Sequence, residues 1–186
     1  NLEPEKALAQ EIGVKYSDDK FSGSLAIFNR DSEDLIDYVR PNTDASIFTA
    51  ANIAEVSTQG VEFESSYKFK MSNYNQTITF GYTYLNDDIL DQNKDLSRYS
   101  LNTLKHQFIS RFTSQLYKNV RQNIIFKHAE RTVGTSYNVW DASLLVDVNK
   151  FTFTLTANNI FNADYIESGF VPMPNSNVLL GLRYGF

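Results

Sequence analysis

NVLLGLRYGF (residues 177–186) closes the chain. Taken by alternate residues it separates into two rows. Val178, Leu180, Leu182, Tyr184 and Phe186 make a row that is wholly apolar or aromatic. Leu179, Gly181, Arg183 and Gly185 make a row of small and charged residues with one leucine. Side chains alternate across a strand with period two, so this stretch reads as a β-strand with one greasy face and one polar face. It reads as running to Phe186, an aromatic at the very end.

The same period recurs through the chain. In FTFTLTAN (151–158), Phe151, Phe153, Leu155 and Ala157 oppose Thr152, Thr154, Thr156 and Asn158. In VWDASLLVDV (139–148), Trp140, Ala142, Leu144, Val146 and Val148 oppose Asp141, Ser143 and Asp147. TITFGYTY (77–84) and VEFESSYKF (61–69) divide in the same way, and noisier rows lie at 6–17, 20–30, 104–117 and 119–130. With the terminal strand there are nine, mostly near ten residues long. Short connections at 17–20, 70–76, 118–119 and 149–150 alternate with long ones at 40–53, 86–103, 131–137 and 161–176. Short turns at one end and long loops at the other predict an all-β, antiparallel, up-and-down sheet.

Composition narrows the class. The chain has 186 residues, is 14% aromatic, has no cysteine and carries a net charge of −5. Disulfides and thiolate metal sites are excluded, and no basic stripe serves a nucleic-acid partner. No stretch has the roughly 18 uncharged apolar residues of a transmembrane helix. A soluble antiparallel sandwich also alternates. Three features favour a transmembrane β-barrel instead. The polar rows are rich in Thr, Asn, Gln and charged residues, as a water-filled lumen is. The apolar rows carry aromatics toward their ends, like interfacial girdles. The strands are near the roughly 9–11 residues that a tilted strand needs to cross a bilayer.

Four motifs then point to one family. NVLLGLRYGF resembles the C-terminal signature of bacterial outer-membrane barrels, in which the assembly machinery reads the terminal aromatic; Tyr184 and Phe186 carry that signal here. NNIFNADY (158–165), VSTQGVEFE (56–64) and the opening NLEPEK resemble segments of TonB-dependent receptors in the family's order. NLEPEK with SEDLIDYV (32–39) is most similar to the vitamin B12 receptor branch. PMPNSN (172–177) is similar to a PMPGR-type segment, with Asn175 where Gly is usual and Ser176 where Arg is. The resemblance implies a bacterial outer-membrane location and active uptake of a scarce ligand, cobalamin first and a ferric siderophore second. It implies no enzyme activity and no cofactor.

Its implied partners are the bilayer, the barrel assembly machinery, TonB acting through a plug domain and, in some lineages, a surface lipoprotein. Such receptors have 22 strands around a plugged lumen. Residues 1–186 are therefore expected to be the C-terminal part of the barrel, with the plug and about thirteen strands elsewhere. The rival reading is a small passive porin or structural barrel, and a soluble β-domain comes third.

Candidate site residues are of several kinds. Aromatic and cationic residues of the long connections are candidate ligand contacts: Tyr38, Arg40, Phe48, Tyr99, Tyr137, Tyr165 and Phe170. Asp87, Asp91, Asn93 and Asp95 place oxygen ligands as calcium prefers. Leu96 and Asn102, however, stand where a calcium loop needs Gly and a bidentate Glu. Glu62 and Glu64 share a strand face and read as lumen lining rather than a catalytic pair. Lys105, Arg111, Arg121, Lys127 and Arg131 form a potential basic stripe, balanced by Glu62, Glu64, Asp141 and Asp147 or guiding an anionic ligand. His106 and His128 lack acidic partners in sequence and are weak metal candidates.

Overall fold

The computed structural model describes residues 2–40, 47–52, 55–89, 96–97, 104–132, 134–167 and 171–186. Nine long strands form one antiparallel sheet: β1 (Lys6–Ser17), β2 (Phe21–Glu33), β5 (Val56–Met71), β6 (Tyr74–Ile89), β8 (Leu104–Tyr117), β9 (Val120–Arg131), β10 (Ser136–Val148), β11 (Phe151–Asn158) and β12 (Asn177–Tyr184). Each pairs with its neighbour in chain order. β1 and β12 each keep one unpaired edge among the described residues. β3 (Ile36–Arg40), β4 (Thr49–Asn52) and β7 (Leu96–Ser97) form a separate three-stranded sheet from two of the long connections.

Three local features differ from the sequence reading. The strands are longer, up to 16 residues in β5 and β6, so the turn between those two is only Ser72–Asn73. Both turn residues have positive φ, which a two-residue hairpin of this twist demands. The connection expected at 131–137 shrinks, because β10 already starts at Ser136. The last strand ends at Tyr184, with Gly185 still tied to the Lys150 carbonyl (2.8 Å).

Cross-strand register shows why the rows matter. Ile12, Ile27, Val61 and Tyr84 stand side by side, as do Ile78, Phe112, Ile124, Ala142, Ala157 and Val178. The apolar rows of all nine strands thus make one continuous face. Among the described residues no second layer covers that face: Ile12 is 75% exposed and Leu180 85%. In a soluble sandwich this face would be the buried one. Here the fold leaves it outward, and lipid is the medium in which such a face is stable. Gln76 and Ser114 interrupt the apolar row, but both are shielded, and the Gln76 amide donates to the Tyr74 and Gln115 carbonyls.

Aromatic rings mark two levels on the outer face. Toward the long-loop end Tyr84 packs on His106 (4.9 Å), and Phe80, Phe108, Phe126 and Trp140 form a chain with neighbouring centroids 4.7–6.2 Å apart. At the short-turn end lie Tyr16–Phe21, Tyr67–Phe69, Tyr74–Tyr117 and Phe151–Tyr184–Phe186. Tyr74 and Tyr84 lie on one strand, about 33 Å apart at roughly 3.3 Å per residue. A tilt of about 40° brings that to a height of about 25 Å, the apolar band of an outer-membrane barrel. His106 and His128 sit at the upper level, hydrogen-bonded to Tyr82 and Asn138.

The opposite face is polar. Lys68, Thr77, Thr113, Asn123, Ser143 and Thr156 form one ladder of neighbours, with Thr113 Oγ1 donating to Asn123 and Asn123 Nδ2 to Ser143. Glu62 and Glu64 stand on this inner face, and two hollows of about 150 and 190 Å³ flank Glu64. Phe28 lies on the same face with its ring across Gly60; a Cβ there would collide with the Phe28 ring. Gly60→Ala is expected to cost about 1–3 kcal/mol by overpacking. Denaturant unfolding of Gly60→Ala and of Gly60→Ala/Phe28→Ala measures it, with the second change relieving the clash.

Short turns are closed by local chemistry. Asp18 accepts the Lys20 and Phe21 backbone N–H groups at 2.8 and 2.7 Å, an Asx-type turn. Those two amides hold its carboxyl below the usual aspartate range.

Candidate functional site

Of the ligand-contact candidates, Tyr137 and Tyr165 come together at the long-loop end. There the segment after β11 turns inward, and Asn159 makes it turn. This residue is 2% exposed, with a left-handed φ of 48° that asparagine tolerates. Its N–H donates to Asp141 Oδ1, its Nδ2 to the Ala163 and Pro174 carbonyls, and its Oδ1 accepts the Ala163 N–H. Asn162, also left-handed, accepts the Ser176 N–H. The NNIFN box is therefore a corner joining β10, β11 and the approach to β12. It leaves Phe161 outward, edge-on to Trp140. Asp141 serves this corner rather than balancing the basic stripe.

Past the corner the chain packs on the inner wall. Tyr165 lies 4.7 Å from Tyr137, ring to ring. Tyr137, Ala129 and Val139 are buried, and Leu104 and Tyr165 pack against them. A bulge between Leu104 and His106 gives the inward slot to Leu104, which displaces Lys105 from the regular stripe. Glu167 completes the arrangement: its carboxylate accepts from Lys127 Nζ and the Tyr137 hydroxyl, and its carbonyl accepts from Arg131. Lys127 also stands 5.8 Å from the Tyr137 ring. Burial pushes the Tyr165 hydroxyl above the usual tyrosine pKa.

The basic stripe is thus partly neutralised, by one expected partner and one unexpected one. Arg121 pairs with Asp147 at 2.7 Å, as charge balance anticipates. Lys127 takes Glu167, 40 residues away, which alternation does not single out. The Arg121–Asp147 pair is nearly half exposed, so Arg121→Gln is expected to shift stability by less than about 1 kcal/mol in denaturant unfolding.

The other candidates divide. Arg40 stacks over Phe48 at 5.1 Å, while Tyr38 projects to solvent from β3. The segment before β1 fastens that small sheet: Asn52 is bonded to both backbone atoms of Glu3, and Glu5 accepts the Ile36 N–H. Asp87 accepts from Thr58 Oγ1 at 2.6 Å. Asp91, Asn93, Asp95, Tyr99 and Phe170 lie outside the described residues. Among the described residues no group of three metal-ligating side chains forms.

This outward apolar sheet, with loops packed inward at one end, has a known counterpart. The β-barrel model described as TonB dependent receptor-like matches residues 1–162. The chain belongs to the TonB-dependent receptor family. It is accordingly a β-barrel protein of the bacterial outer membrane, in a family of receptors and transporters. No curated protein matches it.

Among solved structures, the FrpB iron transporter from Neisseria meningitidis is similar with a TM-score of 0.73 and 17% identity, over 98% of this chain and 32% of that one. The ferric-catecholate import receptor Fiu from K12 E. coli is similar with a TM-score of 0.70 and 23% identity, over 100% and 28%. The copper transporter OprC gives a TM-score of 0.73 and 15% identity, over 100% and 32%. The receptor chain spans about a third of the length of these structures.

Proposed function

We propose that this chain forms the C-terminal part of the wall of a receptor that takes up a scarce, chelated-metal ligand across the outer membrane. Its two open edges, at β1 and β12, are where the other strands of the same receptor pair. The polar inner face lines the lumen that a plug domain fills, and TonB drives uptake through that plug. The barrel assembly machinery reads Tyr184 and Phe186. A surface lipoprotein is a further partner in this reading.

The observation that carries the ligand class is the Lys127, Arg131, Tyr137 and Tyr165 cluster on the inner wall at the long-loop end. Cations beside phenolic rings suit a ligand with anionic oxygens on a large apolar frame. A ferric siderophore therefore comes first. Cobalamin, ahead on the opening motifs alone, stands second.

The test is uptake by whole cells bearing the complete receptor, with and without TonB, of radiolabelled ferric siderophores and of cyanocobalamin. TonB-dependent accumulation of a ferric siderophore is the expected result. Accumulation of cyanocobalamin alone reverses the order, and TonB-independent passage of both favours a passive barrel.

A further inference from the structure

Glu167 occupies the place an anionic ligand group would take. The cluster it enters is built by two strands, with Lys127 and Arg131 on β9 and Tyr137 on β10. Those strands pair at Tyr137–Ala129 and Val139–Lys127, which sets Lys127 and Tyr137 near each other on the inner face. Into this cluster the chain sends a carboxylate from a connecting segment. Lys127 and the Tyr137 hydroxyl grip the carboxylate, and Arg131 grips the carbonyl of the same residue. Tyr165, two residues earlier, covers Tyr137.

The attachment is local. From the corner at Asn159, residues 160–164 carry exposed or half-exposed side chains, and Phe161 is 74% exposed. Inward hold on the wall comes from Tyr165 and Glu167; on its other side the segment is tied to the approach to β12, the Tyr165 carbonyl accepting the Met173 N–H at 2.9 Å and Ile166 bridging Pro172. Ile166 between them is 40% exposed. An ion pair that solvent still reaches on both partners is a contact for which anions can compete. Lys127 and Glu167 have side chains 25% and 34% exposed.

We infer that Glu167 is an internal surrogate for the ligand: an anionic oxygen group of the incoming chelate displaces it from Lys127, Arg131 and Tyr137, and residues 164–167 leave the inner wall as the ligand seats, pivoting on the Asn159 corner. This rests on the uptake reading above. Its physical content is competition between two anions for one cationic cluster. The resting receptor is the occupied state, and ligand affinity is lowered by the fraction of time Glu167 holds the cluster.

The experiment uses the complete receptor in detergent micelles, with iron(III) bound to 2,3-dihydroxybenzoate as the anionic probe and cyanocobalamin as comparison. Binding is measured by tryptophan quenching for wild type, Glu167→Gln and Glu167→Gln/Lys127→Gln. Removing the surrogate's charge is expected to tighten probe binding about tenfold, to leave cyanocobalamin unchanged, and to lose the gain when Lys127 is also neutralised. In parallel a spin label at Ile166→Cys, in a chain without cysteine, is expected to be immobile in wild type and mobile after probe addition or in Glu167→Gln. Heat-dependent gel mobility verifies that each variant keeps a folded barrel.

Equal or weaker probe binding by Glu167→Gln overturns the inference, as does an immobile label throughout, and so does absence of probe binding to both forms. None of these results bears on TonB-dependent uptake in whole cells, so failure of the surrogate and failure of the uptake reading are separately visible.

Discussion

Leu155→Arg is expected to destabilise the receptor by about 2–4 kcal/mol, while Thr154→Arg, one residue earlier, leaves stability near wild type. Leu155 sits in the outer row between Leu144 and Leu180; Thr154 sits in the inner row between Leu145 and Gly181. A guanidinium in mid-bilayer loses its hydration and finds no partner, whereas one in a water-filled lumen keeps it. The comparison holds strand, depth and residue type nearly constant and varies only the face. Urea unfolding of the complete receptor folded into phospholipid vesicles measures it. An equal cost for both substitutions, or a larger one for Thr154→Arg, would contradict the assignment of the apolar row to lipid.

Asn159→Ala is expected to cost about 2–5 kcal/mol. The side chain is buried and makes three hydrogen bonds to backbone atoms of Ala163 and Pro174. Alanine leaves two carbonyls and one N–H without it, and it also disfavours the left-handed φ. Asn159→Asp keeps the acceptor for the Ala163 N–H but turns a buried carboxylate onto the Ala163 and Pro174 carbonyls, so its cost is expected to equal or exceed that of alanine. Unfolding in vesicles gives the ranking. The alanine variant should loosen the downstream segment, because the Asn159–Ala163 bonds set the path by which Tyr165 and Glu167 reach the inner wall. A spin label at Ile166→Cys is expected to gain mobility in Asn159→Ala. Wild-type stability and mobility in that variant would show that the corner is held by its backbone alone.

These substitutions probe different kinds of information. All nine long strands follow from alternation, with ends displaced by a few residues. Side-chain direction in a strand is a local property, repeating every two residues whatever the partner. The turns that are misplaced in length, such as Ser72–Asn73, depend on where pairing stops, which neighbouring strands decide. The small sheet of β3, β4 and β7 is not legible, because its strands are short and β7 joins β3 from more than fifty residues away. Of the site, the aromatic and cationic residues are visible as types: Tyr137 and Tyr165 are both singled out, yet nothing local states that they stack. Asn159 belongs to a recognised box, but its five hydrogen bonds appear only when the corner is folded.

The sequence by itself determined the all-β class, the two-faced character of every strand, the family and the polar nature of the inner wall. Each rests on periodicity or on contiguous motifs, which no distant contact alters. Tertiary structure alone decided that Lys127 takes Glu167, that Leu104 rather than Lys105 takes the inward slot, and that Asp141 serves a backbone amide. An ion pair or hydrogen bond depends on distance in space, and residues 18–40 apart in the chain come within reach only after register, bulge and corner are set.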